Sequence, residues 1–268
     1  MLDQESRFSG TVPSNYDRLM VPLLFRPYAE EMMRRAQAIG PRLILETAAG
    51  TGVVTEALGE ALPDAEIIAT DLNPPMLEVA RQRVGSERIR FVQADAQDLP
   101  FKQGSFDLVL CQFGSMFFPD KVRGHAEARR VLREGGCYLL AIWDRIERNQ
   151  VSDAAQQTLI DYFPQDPPLF MREGPFGYHD TMRIESDLRE AGFETVDIET
   201  IELRSRCPSA HDAATALLYG TPMGVEVEEK AAGSSERVLS LVEQALRRFE
   251  GPDGLDAKMA AHIVTASR

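Results

Sequence analysis

The sequence predicts an α/β fold whose sheet is mostly parallel, with helices on both faces, and three observations carry that prediction. Arg42–Leu58 reads as strand, tight turn and helix. Three further short apolar runs, Ile67–Asp71, Ile89–Asp95 and Phe106–Gln112, follow with helical or loop sequence between them. Such alternation builds parallel strands joined by crossovers. Two late strands, Phe193–Arg204 and Met259–Ala266, have only helical stretches between them, which suits an antiparallel strand at the sheet edge. With Cys137–Trp143 the count is seven strands.

The elements follow in order. Residues 1 to 12 read as loosely ordered. Asn15–Pro27 is apolar and broken by Pro22 and Pro27, and Pro27 suits the start of a helix in which Tyr28, Met32, Met33, Ala36 and Ile39 recur at helical spacing. Gly40-Pro41 stops it. Leu43, Ile44 and Leu45 form the short apolar run of a strand buried on both faces. Ala48, Ala49, Gly50, Thr51 and Gly52 then carry no bulky side chain, so the backbone can turn sharply and approach a ligand. Val53, Val54, Ala57, Leu58 and Ala61 recur at helical spacing, and that helix start aims free N–H groups at the turn. A strand entering such a turn forms a nucleotide-type binding site.

Asn73-Pro-Pro starts the next helix, with proline where a missing N–H costs nothing. After the fifth strand, Ser152–Phe163 is helical. Pro164, Pro167, Pro168, Gly174 and Pro175 then break a loop containing Phe163, Leu169, Phe170, Met171 and Phe176, too apolar for an exposed linker. That loop reads as a cap over the substrate pocket. Asp180–Ala191 returns to helix and Gly192 ends it. Ser209–Tyr219 and Ser234–Phe249 are amphipathic helices, with Glu226–Lys230 a solvated charge run between them. Gly251-Pro-Asp-Gly254 is a turn.

Composition bounds the function. The 268 residues are 44% hydrophobic and 26% charged, ordinary for a soluble globular protein. No apolar run approaches the roughly 20 residues of a membrane span, and the N-terminus lacks the order of a signal peptide. Cys111, Cys137 and Cys207 are scattered, read as small buried hydrophobes of a reducing cytosol, and suggest no metal site. The expected location is cytoplasmic. The net charge of −13 argues against a nucleic-acid substrate, which calls for a cationic surface.

Five motifs, Glu46–Gly52, Thr70–Leu77, Gln93–Phe101, Ser105–Val109 and Arg130–Gly136, together resemble the class I S-adenosylmethionine-dependent methyltransferases, in the ubiquinone-biosynthesis-like branch. They cover roughly residues 40 to 145 in the family's order. The resemblance implies a Rossmann-like sheet with a helical and loop cap, S-adenosylmethionine as cofactor, and methyl transfer to a small-molecule acceptor at O, N or C. One methyltransferase domain is expected over 1–268, with a helical lid at 1–40, a cofactor core at 41–145, and cap and substrate-side elements at 146–192 and 205–250. The family usually has glycine where this chain has Ala48.

The cofactor's parts then assign residues. Asp71 would accept from both ribose hydroxyls. Asp95 and the Ala96 N–H would meet the adenine edge, with Met76 packed on the ring and Leu72 beside it. Glu46, Ala48, Gly50 and Gly52 would face the methionine end, and Gln112 and Phe113 the sulfonium. In the resembling family the leading segment lies over the cleft, which makes Tyr16 a cofactor-or-substrate candidate. Phe170 and Phe176 are the candidate acceptor contacts. His179, after the cap loop, is the weak candidate general base, since a base is needed only if the acceptor must lose a proton. No metal is expected, and a homodimer is one reading of the oligomeric state. Two other classes compete. A nicotinamide-dependent oxidoreductase would want Gly-x-Gly-x-x-Gly, where Ala48, Gly50 and Val53 stand. A cofactor-binding protein without transfer activity is suggested by Ala48 and the missing base.

Overall fold

Four residues, Leu43–Glu46, form β1, and all but the first are buried. Around it a computed structural model, which describes residues 12–86 and 88–268, builds the sheet. The segment read as loosely ordered therefore lies, but for Val12, outside the described residues. β1 is flanked in parallel by β2 (Glu66–Asp71) and β4 (Phe106–Gln112), with β3 (Ile89–Gln93) beyond β2 and β5 (Leu132–Trp143) beyond β4. The full order is β3-β2-β1-β4-β5-β8-β6, with β6 at Thr195–Cys207 and β8 at Gly254–Ser267; a two-residue β7 (Glu250–Gly251) pairs with β8. The sheet is Rossmann-like. β8 runs antiparallel to β5, Cys137 opposite Ser267 and Trp143 opposite Ala261. The antiparallel strand thus lies inside the sheet, between β5 and the edge strand β6.

Three of the helices begin at a side-chain cap. α1 (Val12–Asn15), a π-helical segment (Tyr16–Phe25) and α2 (Arg26–Ile39) succeed one another. Pro22 does not break this stretch, contrary to the sequence reading. The Arg26 N–H bonds the Val21 carbonyl five residues back, so the wide turns carry the bonding past the proline. Asp120 caps α5 (Lys121–Val131) by accepting from Arg123 N, and Asp180 caps α8 (Thr181–Glu190) by accepting from Met182 N. α3 (Val53–Ala61) and α4 (Pro74–Arg83) follow β1 and β2.

The described residues form two compact units. One contains Tyr28–Trp143, Tyr178–Ile201 and Ala261–Arg268. Its core is apolar: Ile44, Leu45, Ile67, Leu108, Leu110, Leu139 and Leu140 are fully or nearly fully buried. It also buries a polar relay. His125 of α5 lies 3.3 Å from the Tyr138 hydroxyl and 3.4 Å from the Tyr178 hydroxyl, which donates to Asp187 at 2.9 Å. Burial lowers the His125 pKa to about 4, so the ring is neutral at ordinary pH.

The other unit comprises the stretch ending at Pro27, Asp144–Gly177 and Glu202–Ala260. It is mainly helical: α6 (Gln150–Tyr162), α7 (Phe170–Glu173), α9 (Ala210–Tyr219), α10 (Met223–Lys230) and α11 (Ser235–Leu246). Ser209 caps α9 by accepting from Asp212 N. α9 and α11 present Ala213, Leu217, Leu218, Val238, Val242 and Leu246 to the unit's core. The charge run Glu226–Lys230 is exposed at Glu228, Glu229 and Lys230, and it is helical. It is the second half of α10, which buries Met223 and Val227 while Glu228 and Glu229 are exposed. The proline-broken loop is likewise interrupted by the short α7, and Gln156 Nε2 donates to the Pro168 carbonyl at 2.7 Å.

Candidate functional site at the strand ends

β1 leads into the small-residue turn, and hydrogen bonds from both neighbouring strands fix the path. Thr47 N donates to Leu110 O of β4 and Ala49 N to Thr70 O of β2. The Gly50 N–H donates to Asp71 Oδ2 at 2.8 Å, so the carboxylate ending β2 clamps the turn after β1. Asp71 Oδ1 accepts from Asn73 N at 2.8 Å and Asn73 Nδ2 at 3.3 Å. Burial raises the Asp71 pKa, while these bonds pull it down.

The two glycines have different work. Gly50 has φ +57°, and a methyl group built on it would meet no atom within 4 Å. Its open side faces unfilled space, while its N–H is turned to the Asp71 carboxylate. Gly52, at φ +82°, would bring a methyl to 3.0 Å from Ala80 Cβ of α4. It allows α3 and α4 to pack closely.

Ala48 adopts φ +52°, a left-handed conformation that favours glycine. Among the described residues the other non-glycine with positive φ is Phe113, at +53°. They sit just past the ends of the adjacent strands β1 and β4. A methyl group on Gly114 would lie 2.3 Å from Ala48 Cβ, so the bare Cα of Gly114 accommodates the methyl that stands where the family has glycine. Phe113 stacks on Trp143 with centroids 3.8 Å apart, and Tyr28 meets Phe113 edge-on at 5.3 Å. Strained backbone of this kind gathers at functional sites.

Glu46 is only 2% exposed. Its carboxyl pairs with the Thr55 hydroxyl of α3 at 2.6 Å. Burial first, and the nearby Asp71 carboxylate as well, push its pKa up to about 8, against the Thr55 bond. Asp95 is half-buried; its Oδ1 accepts from Gln97 N at 2.8 Å and from Gln97 Nε2. Met76 is buried in the first turn of α4, and Leu72, Ala96 and Gln112 are half-buried at their strand ends. Glu46, Ala48, Gly50, Gly52, Asp71, Leu72, Met76, Asp95, Ala96, Gln112 and Phe113 thus all belong to one unit and sit at or just past the C-terminal ends of β1 to β4, or in the helix starts that follow. His179 belongs to the same unit; it is exposed, and its carbonyl accepts from His262 Nε2 at 3.0 Å.

Tyr16, Phe170 and Phe176 lie in the other unit. Tyr16 is half-buried and stacks on Phe25 at 5.0 Å. Phe170 is half-buried at the start of α7, its N–H on Glu226 Oε2, and Phe176 is buried with its N–H on the Met171 carbonyl. Sequence reading missed Thr55, Asn73 and Gly114. Asn73 was findable, since Asp-x-Asn closes a local turn. Thr55 and Gly114 carry no such local sign. Among the described residues no group of His, Cys, Asp and Glu could hold a metal ion, and no helix is long and apolar enough to cross a membrane.

A parallel sheet with a glycine turn after its first strand and a carboxylate ending the second is the arrangement of a Rossmann-like fold. Residues 44–136 match the methyltransferase domain family. A demethylmenaquinone methyltransferase of Clavibacter sepedonicus is 31% identical over 207 residues, 72% of this chain and 84% of the relative. That of Deinococcus radiodurans is 44% identical over 107 residues, 39% of this chain. The chain spans less than half, 44%, of each of the first two curated relatives it matches. In structure, the YcgJ protein of Bacillus subtilis matches with TM-score 0.59 at 19% identity, over 90% of this chain and 99% of that one. A Haemonchus contortus phosphoethanolamine N-methyltransferase, solved with S-adenosyl-L-methionine, matches with TM-score 0.54 at 16% identity, over 97% of this chain and 60% of that one. The chain belongs to the class I S-adenosylmethionine-dependent methyltransferases, in the ubiquinone- and menaquinone-like branch.

Proposed function

We propose that this chain transfers the methyl group of S-adenosylmethionine to a small-molecule acceptor. The observation that carries the proposal is the Gly50–Asp71 arrangement: a left-handed glycine with empty space on its open side, bonded to a buried carboxylate at the end of β2. A nucleoside ribose seated there finds a carboxylate acceptor, and the turn's backbone lets it approach closely. Glu46 supplies an acid toward the cationic methionine end, Asp95 and Ala96 the polar atoms for the adenine edge, and Met76 an apolar surface. When bound, the cofactor supplies an activated methyl group on a cationic sulfur. The protein's share is orientation, which supplies much of the catalysis when the leaving group is a neutral thioether. His179 is the candidate general base for an acceptor that must lose a proton. The relatives named for demethylmenaquinone make a flat, apolar, quinol-type ring the first acceptor class to test.

Titration calorimetry with S-adenosylmethionine and, in parallel, NADH tests the cofactor. Binding of the first at micromolar levels and none of the second is expected; the reverse would overturn the reading. Methyl transfer from labelled cofactor to a panel of quinols, phenols and amines then tests the acceptor class. A protein that binds the cofactor but methylates no member of the panel would leave a binding protein in place of the enzyme.

A further inference from the structure

We propose that the site takes up its cationic cofactor in exchange for a proton held on Glu46, whose carboxyl is neutral in the free protein and ionises as the cation enters. The inference rests on the cofactor reading above and deepens it. Glu46 and Asp71 end adjacent parallel strands, and both are buried, at 2% and 7% exposure. Two buried acids within electrostatic reach do not both ionise readily, and the better-solvated one keeps the charge. Asp71 accepts from the Gly50 N–H, the Asn73 N–H and the Asn73 side-chain amide. The Glu46 carboxyl has one bond, to the Thr55 hydroxyl. The proton of the pair therefore resides on Glu46.

Among the described residues, the groups that act on Glu46 supply no counter-charge. β2 contributes the Asp71 carboxylate, α3 the Thr55 hydroxyl and β4 the Cys111 thiol, whose own ionisation is opposed by Glu46 as well as by burial. Arg83 of α4, the base bonded to this turn, is committed to the Thr51 carbonyl and to Glu56. A cation arriving beside Glu46 would be its first positive partner and would draw the proton off to solvent. Glu46 titrating near pH 8 matches this assignment.

Calorimetry of the intact protein in buffers of different ionisation enthalpy counts the protons released. For a group titrating at about 8, S-adenosylmethionine should release about 0.9 proton per site at pH 7 and about 0.1 at pH 9. Its affinity should tighten by up to about tenfold per pH unit between 6 and 7.5. Glu46→Gln should bind more weakly and release no proton. Should that variant fail to fold, Thr55→Val, which removes the single bond favouring the ionised form, should extend proton release to pH 9. S-adenosylhomocysteine locates the cation: release with both ligands assigns it to the shared ammonium, and release with S-adenosylmethionine alone assigns it to the sulfonium. Binding of S-adenosylmethionine without buffer dependence at pH 7, or undiminished release from Glu46→Gln, overturns the proposal. Absence of binding by either ligand would instead sink the cofactor reading, and this inference with it.

Discussion

The strand ends of the sheet-bearing unit and the helices of the other unit are held by opposite kinds of interaction. Around β1 and β2, left-handed backbone, buried acids and backbone N–H donors converge within a few residues. Around α9 and α11, buried alanine, valine and leucine side chains provide the packing, with the Ser209 cap at the start of α9. A region that must admit a charged ligand keeps ionisable groups out of water and accepts backbone strain. A region that only packs does neither. Changes at the first should therefore alter ligand affinity and pH behaviour, and changes at the second stability.

The largest expected effect is on the packed side. Leu217 is fully buried in α9, and Leu217→Ala should cost about 2–5 kcal/mol by urea denaturation, with cofactor affinity of the folded protein within about threefold of the parent. A loss of affinity as large as the loss of stability would erase the division. Next comes Asp71→Ala. It removes the clamp on Gly50 and the proposed ribose acceptor together, and should weaken S-adenosylmethionine binding by about 1.5–3 kcal/mol. Unchanged affinity in calorimetry, with the fold intact, would show the carboxylate to be only a turn brace.

Acid titration gives a third, graded effect. Because the folded-state pKa of Glu46 is raised to about 8 from 4.5, its contribution to stability is fully present below pH 4.5 and declines as pH rises towards 8. Asp71, also raised, acts in the same direction. His125 acts oppositely: its pKa falls from 6.5 to about 4, so stability is lost on acidification through that window. Glu46→Gln should flatten the alkaline decline, by at most about 1.4 kcal/mol per pH unit, in denaturant midpoints measured at pH 5, 6.5 and 8. An unchanged slope would mean that Glu46 is not the acid that holds the proton. The smallest effect is expected at Ala48. Ala48→Gly relieves the left-handed alanine and should stabilise the turn by about 1 kcal/mol, with cofactor affinity equal or tighter. Weaker binding would mean that the methyl at residue 48 is part of the ligand's fit.

The same division runs through what could be read from the chain. Leu43–Leu45, Ile67–Ile68 and Phe106–Leu110 announce buried parallel strands because strands covered on both faces must be apolar throughout. The small residues from Ala48 to Gly52 announce the sharp turn after β1, and Asp71, ending β2, is the acid that bonds it. These are local constraints, carried by a few consecutive residues, and the sequence by itself determined them. The helix ending in Glu226–Lys230 went unread because a helix buried on one narrow stripe, at Met223 and Val227, shows only as a charge run when its partners are unknown. Pro22 was misread because a wide-turn helix needs neighbours to stabilise it.

Only the tertiary structure decided the rest. It placed β8 between β5 and β6, set the methyl of Ala48 against the bare Cα of Gly114, and brought Thr55 to Glu46 and Gly50 to Asp71. It also sealed His125 between two tyrosines. Each of these joins residues 9 to 66 positions apart, or strands far apart in the chain. Their energies depend on burial and distance, and neither quantity is written in the order of the residues. Glu46 is the clearest case: the sequence supplies a glutamate, and burial, with the Asp71 carboxylate nearby, pushes its pKa up to about 8.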